Sequence, residues 1–179
     1  MRYVIFLFLI IFAGCSSKNS GYILPSTSSV NVARITTQIG VEKVELPEYL
    51  NSGKILLKSG LKVSEIDSNF IAPPSELLTS KTINILKSSL NNPNVLLYPW
   101  DIKSQKGYIV KIKLDKFLYD SSSVVVAGSY YIKNANKELI SSKNFTKIAT
   151  CSKDVKSIVT TLSELFDTVV VEIAQKIAR

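Results

Sequence analysis

The sequence predicts an α+β fold, a largely antiparallel mixed sheet with two helices packed on one face as a two-layer sandwich. Three stretches carry that prediction. Residues 94–151 read as a run of strands, with apolar and polar side chains alternating at period two from Gly107 to Asp115. Residues 154–178 hold an apolar stripe at helical spacing over seven turns. Between two shorter β-type runs and the main meander, residues 74–91 form a proline-led segment with Leu77, Leu78, Ile83, Leu86 and Leu90 at helical intervals. The 179 residues suit one domain, and 46% hydrophobic against 20% charged content is enough to build a core.

The chain opens with Arg2 and an uncharged run, Tyr3 to Phe12, then Ala13, Gly14 and Cys15. As a helix such a run rises about 15 Å, half of what a membrane span requires, so residues 1–14 read as a secretory signal. Residues 15–21 follow as a polar tether, and residues 22–179 as the domain. Tyr22-Ile23-Leu24 before Pro25 is a candidate edge strand.

Residues 37–46 are expected to form one strand, with Gly40 as the site of a bulge and Pro47 as its stop. Lys54–Lys58 and Leu61–Ile66 flank Ser59-Gly60 as a hairpin. Pro73-Pro74 opens the first helix and Asn91-Asn92-Pro93 closes it. Strands are expected at 95–98, 107–119, 122–134 and 137–149, with tight returns at Asp120–Ser123 and Asn134–Lys137. Ser152 or Asp154 caps the last helix, whose carboxyl end carries Lys176 and Arg179.

Composition removes several kinds of chemistry. There is no histidine, and the two cysteines lie far apart, so a His-based catalytic centre or a structural zinc site lacks its ordinary groups. Phosphate-binding loops, dinucleotide fingerprints and nucleophile elbows are missing from the sequence. No catalytic residue, cofactor or metal site is therefore expected. The net charge of +8 comes mostly from lysines scattered singly, without an Arg-rich patch, and nucleic-acid binding is not expected. Cys151 is expected to be a buried small hydrophobe, and Glu42, Glu45 and Glu48 to be surface charges that do not converge.

Phe12-Ala13-Gly14-Cys15 resembles the lipobox of bacterial lipoproteins. That resemblance implies cleavage before Cys15 and a covalent diacylglycerol plus an N-acyl chain there, with Ser16 permitting transfer to the outer membrane.

Val44-Glu45-Leu46-Pro47-Glu48-Tyr49-Leu50, followed by Lys54-Ile55-Leu56 and preceded by Tyr22-Ile23-Leu24, resembles the PqiC-like auxiliary lipoproteins of ABC-type intermembrane transport systems. Ile71-Ala72-Pro73-Pro74 stands at the start of the first helix with Ile71 where Trp is usual, and Asn51-Ser52 where Asp-Arg is common. The resemblance implies a non-enzymatic subunit, anchored on the periplasmic face of the outer membrane. It would work with an MCE-domain protein, a permease and an ATPase to move lipids, by tethering and docking. A homo-oligomer, a ring among the options, is a further expectation. Pro47, Tyr49 and Trp100 are the candidate partner contacts. An alternative role is an outer-membrane assembly or stabilising lipoprotein that binds a β-barrel partner.

Overall fold

The structure, a computed structural model, describes residues 20–26, 30–99 and 107–179. Cys15, the signal segment and Trp100 lie outside the described residues.

Among the described residues, seven strands and two long helices follow in the order β1 (Gln38–Val41), β2 (Lys54–Ser59), β3 (Lys62–Asn69), α1 (Pro74–Ser89), β4 (Val95–Leu97), β5 (Gly107–Asp120), β6 (Ser123–Asn134), β7 (Leu139–Thr150) and α2 (Val155–Ile177). A 3-10 turn, Glu48–Leu50, sits between β1 and β2. The long β5 is the spine of the sheet. On one side it pairs antiparallel with β6 along its whole length, and β6 in turn with β7. On the other side its first residues pair in parallel with β1 and its last two with β2. β4 adds in parallel beyond β1, and β3 antiparallel beyond β2. The expected mixed sheet is thus present, with its long ladders antiparallel, and β5 is shared by two short strand pairs.

The period-two pattern of β5 is obeyed up to a bulge. Val110, Ile112 and Leu114 are buried, whereas Lys113 and Asp115 are exposed. Leu114 then pairs with Gly128 but Lys116 with Ala127, so Asp115 is the extra residue. Gly128 is needed there: a Cβ at this position would meet the carbonyl of Lys113 and stand 2.8 Å from the Cα of Leu114.

Both helices cover the same face. α2 begins where the Asp154 carboxylate accepts from the Ser157 N–H at 2.9 Å. Its stripe of Ile158, Leu162, Phe166, Val169, Val170 and Ile173 is almost fully buried and lies against β6, β7 and β5. α1 packs beside it, over β4 and β1. Pro74 takes the first helical position, where its missing N–H costs nothing, and Asn91 leaves the helix at φ 43°. Asn92 then fixes β4: its Nδ2 donates to the Thr37 carbonyl at 2.7 Å and its Oδ1 accepts from the Asn94 N–H at 2.9 Å.

Three expectations change in detail. Residues 37–46 are not one strand, since β1 ends at Val41. Glu42 N–H donates to the Val110 carbonyl and Glu45 N–H to the Ile112 carbonyl. Three residues of this segment therefore span what two cover on β5, which is a bulge at Lys43–Val44 and not at Gly40. Tyr22-Ile23-Leu24 makes a single parallel bridge, Tyr22 to Phe70, and no longer strand. Cys151 is half-buried against the core edge and not enclosed by it.

Candidate functional site

The bulge after β1 builds a projecting ledge. Spacing of three along a regular strand would send Glu42 and Glu45 to opposite faces. The extra residue reverses the phase, and both carboxylates come to Lys111 of β5. Glu42 lies 3.5 Å from the Lys111 ammonium, Glu45 is in closer contact with it, and Glu45 also reaches Lys113 at 3.1 Å. The two acids converge, contrary to expectation. Burial works to raise the Glu45 carboxyl, but the hydrogen bonds and charges of Lys111 and Lys113 outweigh it and hold the group below its usual range. The hydrogen bond that Lys111 donates to Glu45 is the main reason that its ammonium is held above its ordinary value.

The same bulge frees the Val44 N–H from the sheet, and it donates at 2.9 Å to the Thr79 hydroxyl of α1. Pro47 then starts the 3-10 turn, which closes when the Leu50 N–H donates to its carbonyl at 3.0 Å and the Leu50 side chain enters the core. Just beyond, the Asn51 Oδ1 accepts from the Ser75 N–H at 3.0 Å, so a residue distant in sequence satisfies an open donor at the start of α1. Two side-chain hydrogen bonds to α1 therefore hold the ledge.

Pro47 is exposed, and Tyr49 is 49% exposed while its phenol donates to the Asp115 carbonyl at 3.3 Å. Pro47 and Tyr49 thus lie on one exposed turn, flanked by the Val44 and Asn51 hydrogen bonds to α1. An open hollow of about 480 Å³ lies next to this segment, lined by Val44, Leu46, Asn51, Ser75, Tyr98 and Pro99 among others. Chemically the ledge offers a proline, an aromatic face and a balanced row of charges. Such a surface suits protein contact. Among the described residues, no group of three or more His, Cys, Asp and Glu side chains is placed to hold a metal ion.

A second constellation has no counterpart in the sequence reading. Lys81 of α1 and Asp167 of α2 form an ion pair of 3.0 Å with side chains only 6% and 10% exposed. The Pro25 carbonyl accepts from both the Lys81 ammonium and, at 2.9 Å, the Ser163 hydroxyl. Lysine and aspartate in a helix usually mark its wet face, and a segment as remote as Pro25 leaves no periodic signal. On the sheet side of α2, Tyr130 donates to Glu172 at 3.0 Å, where Lys143 also binds at 2.7 Å. Burial pushes the Tyr130 phenol up to about 12.

Comparison with known proteins places this architecture. No curated protein matches the chain. An uncharacterized protein known from a crystal structure superposes with a TM-score of 0.70 at 19% identity, over 87% of this chain and 96% of that one. Protein XCC0632 from Xanthomonas campestris does so with a TM-score of 0.73 at 14% identity, covering 86% and 92% of the two chains. The PelC dodecamer subunit from Paraburkholderia phytofirmans has a TM-score of 0.51 at 11% identity, with coverage of 84% and 94%. At these identities the likenesses establish the fold. The family assignment comes from sequence: residues 22–174 match the family described as the ABC-type transport auxiliary lipoprotein component, and the chain belongs to that family.

Proposed function

We propose that this chain is a lipid-anchored, non-catalytic auxiliary subunit of an ABC/MCE-type intermembrane lipid transport system, held on the periplasmic face of the outer membrane. The observation that carries the reading is the family match starting at residue 22, seven positions after a lipobox-like segment that ends in Cys15. Residues 1–14 would be removed, Cys15 would carry the diacylglycerol and N-acyl chains, and the domain from residue 22 would stand on a tether of residues 15–21. Each buried methylene contributes about 0.8 kcal/mol, so two or three acyl chains give stable attachment.

The domain would act through what it touches. Pro47 and Tyr49 offer an exposed contact, and Trp100, outside the described residues, is proposed as a third partner contact. The partner would be the MCE-domain protein of the system. The PelC neighbour, described as a dodecamer, supports an assembly of several copies. Anchoring each copy to one surface raises its effective concentration for the others.

Attachment is tested by substituting the thiol. Cys15→Ser is expected to end labelled-palmitate incorporation and to release the protein from the outer-membrane fraction, and unchanged labelling contradicts the assignment.

A further inference from the structure

The chain enters the domain along the β3 edge of the sheet and is pinned there. Tyr22 N–H donates to the Asn69 carbonyl at 2.8 Å, and the Tyr22 carbonyl accepts from the Ile71 N–H at 2.9 Å. Gly21 lies so close to this edge that a Cβ would stand 2.7 Å from the Ile71 nitrogen. Around the entry, Tyr22, Ile23 and Ile71 are exposed. The other end of β3 is the two-residue turn Gly60-Leu61 from β2, closed where Ser59 pairs with Lys62. Gly60 supplies the φ of 60° that the turn needs, and nothing is asked of the side chain that follows. Leu61 nevertheless stands there, more exposed than any other large apolar side chain among the described residues, and Val63 is exposed beside it.

We propose that the β3 edge is the side of the domain that rests on the bilayer holding Cys15, with Leu61 dipping among the lipid headgroups at one end and Tyr22, Ile23 and Ile71 lying against them at the other. The proposal rests on the acylated Cys15 put forward above. Apolar side chains scattered singly over a surface are ordinary, but these share one edge, and it is the edge at which the anchored chain enters. Lys58 and Lys62 flank the leucine in sequence, and their long stems suit ammonium groups held at the level of lipid phosphates. Between the two ends Glu65 and Asp67 are exposed, so lipid is met at the ends of β3 and not along it.

The length of chain before the entry argues for lipid as the occupant. From Cys15 to Tyr22 it spans at most about 25 Å at about 3.5 Å per residue. β3 itself, Lys62 to Asn69, runs about 23 Å at about 3.3 Å per residue. So short a tether keeps the entry within about one length of β3 from the lipid surface, and brings the tip within reach of the same surface. β7 lies at the far edge of the sheet, beyond β2, β5 and β6. A contact of a few side chains would not hold a free domain. The anchor raises their effective concentration at the bilayer, and a weak contact then suffices to set orientation.

The test uses the full acylated chain in vesicles of phosphatidylethanolamine and phosphatidylglycerol. An environment-sensitive dye is placed at Ser59→Cys beside the tip or at Asn144→Cys on β7, each in a Cys151→Ser background. At Ser59→Cys the emission is expected to move to shorter wavelength on the vesicle and to fall about twofold or more when brominated lipids replace the ordinary ones, and at Asn144→Cys to do neither. Leu61→Asp, at a fully exposed position, is expected to return the Ser59→Cys emission to its value in water and to leave thermal unfolding unchanged. Equal loss at the two positions, no loss at Ser59→Cys, or a loss that Leu61→Asp leaves intact overturns the proposal. A shift at Ser59→Cys without loss to brominated lipid also overturns it, because the tip is then covered by protein, such as a second copy. These outcomes are read on protein that floats with the vesicles and carries acyl mass. Protein that does neither removes the Cys15 reading and the proposal with it.

Discussion

The N–H of Val44 and the hydroxyl of Thr79, 35 positions apart, meet at 2.9 Å and join the bulge after β1 to the first half of α1. Both groups are buried, so each is the other's replacement for water. Thr79→Val keeps the shape but strands the Val44 donor. The expected cost is about 1–3 kcal/mol with an unchanged denaturant slope, whereas Thr79→Ser costs less. Urea unfolding followed by circular dichroism measures both.

Gly128 is expected to be irreplaceable without backbone movement. Gly128→Ala drives a methyl group into the β5 bulge at Lys113 and Leu114, and a loss of at least about 2 kcal/mol follows. Thermal unfolding of the variant beside the parent checks it. A loss below about 0.5 kcal/mol would mean that the bulge slides out of the way.

The Lys81–Asp167 pair yields a prediction with a definite sign. Burial raises the Asp167 carboxyl to about 6, against the opposing pull of Lys81, and the repulsion of Glu164 adds a smaller upward push. In the unfolded chain an aspartate titrates near about 4. The folded state therefore holds the extra proton between about pH 4 and 6, and the stability from this group falls as pH rises through that window. Lys81→Met/Asp167→Leu removes the titration. Its stability relative to the parent should rise from pH 4 to 6, then level, and should be neutral to about 4 kcal/mol favourable at neutral pH. Lys81→Met alone should be destabilising there, because it removes the ammonium 3.0 Å from the buried Asp167 carboxylate.

How much of this was legible in the sequence depends on whether a pattern is local. The stripe from Ile158 to Ile177 and the alternation from Tyr108 to Leu114 are set by neighbours in sequence, and both elements form where the pattern puts them. Pro47 and Tyr49 were likewise visible as a segment. Their support was not, because it comes from Thr79 and Asn51 reaching to or from α1. The single strand expected over 37–46 failed for the same reason: the phase change is set by which β5 carbonyls Glu42 and Glu45 meet. Lys81 and Asp167 escaped notice because charge in a helix ordinarily signals solvent, and here the third partner is a carbonyl from the other end of the fold.

Tyr49 is expected to matter for binding and not for folding. Its hydrogen bond to Asp115 is long and exposed, so Tyr49→Ala should change stability by no more than about 0.5 kcal/mol. If the ledge meets the partner, the same change should weaken association tenfold or more, about 1.4 kcal/mol, measured by co-purification titration with the MCE-domain protein.

Site-specific photo-crosslinking in living cells, with the photoreactive residue in place of Tyr49 in the full-length chain, tests docking most directly. The account predicts a crosslink to the MCE-domain protein of the transport system that is lost in Cys15→Ser. A crosslink to an outer-membrane β-barrel in its place, or one to the MCE-domain protein that persists undiminished in Cys15→Ser, would contradict it.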